Sequence, residues 1–117
     1  MTIKRDKLHA LDFSDIATGR RLGAVHPGEV LTHDFIEPLG ITRYRVAKAM
    51  GVPQRRVDEI CAGERAITAD TALRLERVFG LEAQVWLSLQ TRYDLEAADP
   101  KLRQKIEREA KPLESVM

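Results

Sequence analysis

Three consecutive polar residues, Gln54, Arg55 and Arg56, are of types whose side chains can recognise bases in DNA. Arginine can donate two parallel hydrogen bonds to O6 and N7 of guanine, and glutamine pairs similarly with N6 and N7 of adenine. Pro53 directly precedes them and is typical of a helix start, where its missing N–H is not needed. The pattern predicts base contacts from the first turn of a helix in a major groove, and the alternative is a solvated basic helix face.

A short helix and a tight turn are predicted to position that first turn. Apolar residues recur at helical spacing in two successive segments. Gly51 separates the segments, at a position where glycine adopts a positive φ without a steric penalty. The inward residues are Val46, Ala47, Met50, Val57, Ile60 and Cys61. This is the spacing of a helix-turn-helix, with the small Ala47 where the two helices must cross closely.

Groups that could contact DNA phosphates surround these two helices. Residues 42–65 hold six basic residues against three acidic ones, whereas residues 26–41 hold three acidic residues and no lysine or arginine. The charge is therefore uneven, although the whole chain carries only +1. Phosphate contacts are predicted for Thr42, Arg43, Arg45, Lys48 and Arg65, and for each cation the alternative is a free surface group.

The periodicity predicts an all-α fold. Helices are expected near residues 28–37, 43–50, 54–62, 69–79 and 82–96, with a further helix from residue 100 to about 110. Helix-ending glycines are expected at Gly40, Gly51, Gly63 and Gly80, and N-caps at His26, Thr42, Thr68 and Asp99. The predicted organisation is an N-terminal arm over residues 1–25, a five-helix helix-turn-helix domain over residues 26–97, and a C-terminal helix and tail over residues 98–117.

The residues that would support catalysis lack the necessary spacing. His9, His26 and His33 are not at metal-ligand spacing with Cys61, and neither an HExxH, a GxSxG nor a P-loop motif occurs. We therefore expect no enzyme, metal or cofactor, and we interpret Cys61 as a buried structural thiol. The apolar runs are too short to span a bilayer and no secretory signal is present, so a cytoplasmic location and no membrane association are expected.

Apolar residues near the C-terminus exceed what a four-helix core needs. A single helix-turn-helix covers half of a two-fold DNA site, and two-fold dimers place two such helices one DNA turn apart. We therefore predict a homodimer, formed through the fifth and last helices, on a palindromic double-stranded operator. The predicted dimer residues are Val85, Trp86, Leu89, Tyr93, Leu102 and Ile106. For Trp86 and Tyr93 the alternatives are packing in the core and a platform on which bases stack.

Four further segments occur in order around the helix-turn-helix: HPGEVL at residues 26–31, EPLGIT at 37–42, ITADTALRL at 67–75 and WLSLQ at 86–90. Together these residues resemble a HigA-type antitoxin of the lambda-repressor-like superfamily, over about residues 26–97. The resemblance implies a transcriptional autorepressor that also neutralises a HigB-like toxin, a RelE-like enzyme that cleaves mRNA. The acidic stretch at 26–41 and the arm at 1–25 are the candidate surfaces for a basic toxin.

Two other functions are compatible with the residues. One is a stand-alone or phage-type transcription regulator without a toxin. The other is a protein-binding inhibitor whose helix-turn-helix no longer binds DNA. Arg55 and Arg56 argue against the latter, because such a helix has no reason to keep basic residues at its base-facing end.

Overall fold

The computed structural model describes residues 24–116, and every regular element within them is a helix. The first helix, α1, has three consecutive segments: α-helical Pro27–Val30, π-helical Leu31–Ile36 and α-helical Glu37–Leu39. It is followed by α2 (Arg43–Met50), α3 (Gln54–Cys61), α4 (Ala69–Phe79), α5 (Ala83–Glu96), α6 (Pro100–Glu109) and α7 (Leu113–Val116). The predicted all-α fold is confirmed. The predicted arm lies outside the described residues except for residues 24 and 25.

Side-chain caps fix where the helices begin. The Thr42 hydroxyl oxygen accepts from the backbone N–H of Arg45 at 3.1 Å, and Asp99 accepts from Lys101 at 2.9 Å. His26 caps α1 through Nδ1, which accepts from the Gly28 N–H at 2.9 Å. These caps satisfy N–H groups that have no partner within their own helix. The predicted N-caps are confirmed at these three positions and also at residue 68.

The π-helical segment of α1 was not predicted from the sequence. Its last turn closes through a hydrogen bond from the Glu37 N–H to the Thr32 carbonyl, five residues back. Pro38 follows immediately and has no N–H to donate. The wider turn leaves Leu31, Phe35 and Ile36 all facing the core.

The core is built around three aromatic side chains from three helices. The ring centroid of Phe35 lies 4.9 Å from that of Phe79 and 5.4 Å from that of Trp86. All three are fully buried or nearly so, together with Val57 and Ile60 of α3. Burying side chains of this size contributes most of the stability of a small domain. The core therefore anchors α3 through its inward face.

The first helix crosses α3 at very short range. A Cβ atom built on Gly28 would lie 1.8 Å from the carbonyl oxygen of Ile60 and 3.0 Å from the Cα atom of Cys61. Only a residue without a side chain allows two backbones to approach this closely. Gly28 therefore sets the distance between α1 and the C-terminal end of α3.

The last long helix, α6, stands apart from this core. It contains no buried residue, and Leu102 and Ile106 are about half exposed on one side of it. The Arg103 guanidinium donates to the backbone carbonyl of Leu95, which ties the start of α6 to the end of α5. Within residues 24–116, the apolar face of α6 is therefore left uncovered.

Candidate nucleic-acid interface

The turn between α2 and α3 is closed by backbone hydrogen bonds and by one side chain. Gly51 is left-handed with φ of 73°, as predicted, and the Val52 N–H donates to the Ala47 carbonyl at 3.0 Å. Arg74 of α4 donates through Nη1 to the Met50 carbonyl at 2.8 Å. This bond satisfies a carbonyl group that α2 leaves without a partner at its C-terminal end. The turn is therefore clamped from α4 as well as by its own backbone.

Helix α3 has clearly separated inner and outer faces. Val57 and Ile60 are completely buried, whereas Gln54 and Arg55 are exposed and the Arg55 side chain is 86% exposed. Pro53 occupies the N-cap position instead of the first helical position predicted for it, because its ψ of 145° is extended. The first turn consequently begins at Gln54, and it presents the amide and guanidinium groups to solvent.

Arg56 is placed differently from Arg55. Its guanidinium is turned toward α4, where Nη1 lies 3.0 Å from Oδ1 of Asp70, and its side chain is only 30% exposed. The same oxygen accepts from Nε of Arg74 at 2.8 Å. The two arginines, Arg74 foremost, hold the pKa of the Asp70 carboxyl below its usual value. The residues predicted to contact bases are therefore not equivalent, because Arg56 is part of a contact between helices.

A second carboxylate joins Arg55 to Arg65. Glu59 Oε1 accepts from Nε and Nη2 of Arg65 at 3.0 and 2.7 Å, and its Oε2 lies 3.4 Å from Nε of Arg55. Hydrogen bonding to Arg65 is the main reason that the pKa of Glu59 is lowered. From the sequence, Glu59 was assigned no role. Its spacing of four residues from Arg55 is a helical ion-pair signal that could have indicated one.

The residues predicted to contact phosphate lie at both ends of α2 and after α3. Thr42 caps α2, and Arg43 pairs across to α3 with its Nε 3.0 Å from Oδ1 of Asp58. Arg45 is half-buried, Lys48 is exposed near the C-terminal end of α2, and Arg65 follows α3 in the loop. The phosphate contacts themselves stay a prediction.

The structure separates the residues predicted for the dimer into two groups. Trp86 is completely buried against Phe35, so the prediction that it contacts a second copy is wrong. A helical stripe of apolar residues does not by itself distinguish core from interface, which is why Trp86 was misassigned. The others remain accessible: Val85, Leu89 and Tyr93 are half-buried, and Leu102 and Ile106 are about half exposed.

Four titratable groups were singled out from the sequence, of which His9 lies outside the described residues and the other three have defined surroundings. His26 is buried, its ring contacts that of Tyr93 edge to face at 4.9 Å, and burial lowers its pKa. Cys61 is partly buried, and burial raises the pKa of its thiol. His33 is exposed and contacts Glu37 at 2.9 Å. Across residues 24–116, no group of histidine, cysteine and acidic residues could hold a metal ion.

None of the helices in residues 24–116 combines the length and the apolar composition required to cross a bilayer.

The buried inner face of α3, its exposed polar first turn and the tight turn before it define a helix-turn-helix protein. A helix-turn-helix family model matches residues 34–86, from within α1 to within α5. Over 76 residues the chain is 50% identical to virulence-associated protein I of Dichelobacter nodosus, covering 65% of this chain and 70% of that protein.

Two solved structures are similar over most of the chain. An addiction module antidote protein of the HigA family from Coxiella burnetii is 41% identical, with a TM-score of 0.72 over 78% of this chain and 99% of the other. The Pseudomonas aeruginosa antitoxin HigA, solved with the higBA promoter, is 38% identical, with a TM-score of 0.73 over 77% and 98%. The chain belongs to the HigA family of antitoxins.

Proposed function

We propose that this chain is a non-enzymatic antitoxin that represses its own operon and neutralises a HigB-like, RelE-like toxin that cleaves mRNA. The observation that carries the DNA-binding part is the exposed first turn of α3, with Gln54 and Arg55 directed to solvent while Val57 and Ile60 are buried beneath them. The Pseudomonas relative was solved with the higBA promoter, which supports DNA binding by this chain.

The base contacts are divided unequally among the predicted residues. Gln54 is exposed, and the Arg55 side chain is 86% exposed beside Glu59. The Arg56 side chain, in contrast, is only 30% exposed and is directed at Asp70 of α4. Losing a good base contact costs about 1–3 kcal/mol of binding free energy and relaxes specificity at one position. We therefore expect Arg55→Ala to reduce discrimination more than Arg56→Ala does.

Binding assays with the full chain test this proposal directly. Fluorescence anisotropy would compare a duplex carrying the palindrome upstream of the chain's own gene with a scrambled duplex of equal length. Gln54→Ala and Arg55→Ala should each lower the preference for the operator, whereas Gln84→Ala, which removes an exposed glutamine from α5, should not. Full operator preference in a variant lacking the side chains of Gln54, Arg55 and Arg56 would contradict the assignment of α3.

We propose further that two copies bind the operator as a homodimer through α5 and α6. Leu102 and Ile106 share one side of α6, and Leu95 at the end of α5 is 61% exposed, so both helices present uncovered apolar side chains. Light scattering should give a dimer for the natural chain and a monomer for the variant Leu102→Lys, Ile106→Lys. The charge-matched control is Gln104→Lys, Glu107→Gln, which also adds two units of positive charge at exposed positions of the same helix. A monomeric natural chain at micromolar concentration would count against this interface.

Toxin neutralisation is proposed to use a different surface from DNA binding. Glu29 and Glu37 are exposed on α1, and Asp34 is half-buried between them, which gives α1 an acidic side that fits a basic partner. The arm at residues 1–25 adds apolar side chains that this partner could cover.

Two co-expression rescues separate these surfaces. One variant lacks residues 1–25 and carries Glu29→Gln, Asp34→Asn and Glu37→Gln, and it should no longer protect cells from the toxin. The other carries Arg55→Ala and Arg56→Ala, and it should still protect them. Protection by the first variant would refute the assignment, as would its loss in the second variant when that variant is folded.

A further inference from the structure

We propose that Glu59 is a positioning residue that sets operator specificity by orienting Arg55 and Arg65 before DNA arrives. This inference rests on the proposed DNA-binding function. It assigns a role to Glu59, which contacts two arginines that are predicted to bind DNA and does not itself contact a base. It makes a carboxylate on the DNA-facing side beneficial for discrimination, although any such charge opposes binding to DNA in general.

The geometry places Glu59 between the two arginines and below them. Its side chain is 24% exposed, against 86% for Arg55 and 47% for Arg65. Glu59 is thus the more buried partner in both ion pairs, and each arginine keeps more of its side chain in contact with solvent. One of its oxygens contacts each arginine, Oε2 facing Arg55 and Oε1 facing Arg65. The two cations therefore cannot adopt these orientations independently.

Arg55 and Arg65 keep N–H donors for DNA while they contact Glu59. A guanidinium has five N–H donors in a fixed planar fork. Arg65 directs Nε–H and one Nη2–H at Glu59, which leaves three donors for a phosphate. Arg55 contacts Glu59 through Nε at 3.4 Å, and donors on its terminal nitrogens can be offered to a guanine edge. A side chain that is already oriented loses less freedom on binding, so the correct sequence gains from the arrangement.

Removing the Glu59 carboxylate has two opposite effects on affinity for the operator, one through the lost negative charge and one through the lost orientation of Arg55. Repulsion between Glu59 and phosphates is the same for every DNA sequence, because phosphates carry no sequence information. Orientation of Arg55 matters only where the matching base is present. Removing the charge should therefore strengthen binding to scrambled DNA while operator binding gains less or declines.

The test compares Glu59→Gln with Glu64→Gln in the full chain. Glu64 is exposed in the loop that follows α3, so the two variants change the charge equally and in nearly the same place. Dissociation constants would be measured for operator and scrambled duplexes at one salt concentration, since affinity for DNA depends strongly on salt. We expect the operator-to-scrambled preference to fall about fivefold in Glu59→Gln, a part of the discrimination that one base contact provides, and to stay within about twofold in Glu64→Gln.

A double-mutant comparison separates positioning from other roles. In a chain already carrying Arg55→Ala, Glu59→Gln should leave the preference unchanged, because there is no Arg55 to orient. Glu59→Asp keeps the charge but shortens the reach, so it should lower the preference without strengthening binding to scrambled DNA. Thermal unfolding should be nearly the same for all variants, because exposed ion pairs contribute little to stability.

The possible outcomes distinguish this inference from the function on which it rests. An unchanged preference in Glu59→Gln, an equal fall in Glu64→Gln, or a fall that persists without Arg55 would each overturn the role of Glu59 and leave DNA binding intact. A natural chain that binds operator and scrambled DNA equally would instead overturn the proposed function.

Discussion

Replacing Gly28 with alanine adds one methyl group at the crossing of α1 and α3. That group would lie 1.8 Å from the Ile60 carbonyl oxygen and 2.7 Å from its carbonyl carbon. Ordinary contacts begin at 3.4 Å, so the two backbones would have to separate by about 1.6 Å. Neither neighbour is the flexible end of a side chain. The helices themselves must therefore shift.

The expected destabilisation follows from two opposing terms. An extra methyl group in a tightly packed site destabilises by about 1–3 kcal/mol, and a contact with backbone lies at the upper end of that range. Alanine's better helix propensity offsets about 0.5–1 kcal/mol. We expect a net loss of about 2 kcal/mol in the free energy of unfolding. This corresponds to a fall of roughly 10 °C in Tm for a domain of this size.

Chemical and thermal denaturation followed by circular dichroism would measure the effect of Gly28→Ala. Glu29→Ala, on the exposed side of the same turn, is the matched control and should change stability by less than about 0.5 kcal/mol. Operator affinity should also fall in Gly28→Ala, because α1 would push the C-terminal end of α3 out of place. A Gly28→Ala chain that unfolds at the same denaturant concentration as the natural chain would refute the close crossing.

Three further predictions concern hydrogen bonds that hold the domain together. Because burial lowers the pKa of His26 from 6.5, the unfolded chain binds a proton that the folded chain does not. The contribution of His26 to the free energy of unfolding should therefore be constant above about pH 6.5 and should fall from there toward the lower pKa of the folded chain; denaturant titrations over that range should show this fall disappearing in His26→Asn and persisting in His33→Gln. Gln90→Leu leaves the buried N–H of Ile67 without its 2.7 Å acceptor, and should lower the free energy of unfolding by about 1–3 kcal/mol in urea titrations. Arg74→Ala removes the donor to the last carbonyl group of α2, and should cost about 1 kcal/mol by the same measurement, whereas an unchanged midpoint would show that the turn does not need this clamp.

Features encoded by neighbouring residues were predicted correctly from the sequence. The observed helices match the predicted ones because capping residues bound each apolar periodic segment, as Thr42 does before α2 and Gly51 does after it. A cap and a left-handed glycine act within a few residues of their own position, so a single sequence displays them. The base and phosphate contacts assigned on these helices remain predictions.

Features that depend on distant parts of the chain were not predictable in the same way. Arg56 meets Asp70 across 14 positions of sequence, and Gln90 meets Ile67 across 23. Apolar periodicity identifies the inward face of a helix but not whether the same chain or a second copy packs against that face. The sequence therefore could not decide between the core and a dimer interface for Trp86. The need for glycine at residue 28 arises only when α3 is placed against it.

The ion pairs on the outer face of α3 constrain how this protein could evolve to recognise a new operator. The core depends on Val57 and Ile60, so the polar positions can change without disturbing the fold. They are not independent of one another, however, because Arg55 and Arg65 share one carboxylate. A single exchange at Arg55 would leave Glu59 bound to Arg65 alone and repelling DNA. Divergent copies of such a protein should therefore alter these three positions as a set. Intermediates with mismatched sets should bind every operator weakly. Such weak binding would keep one copy from repressing the operon of another.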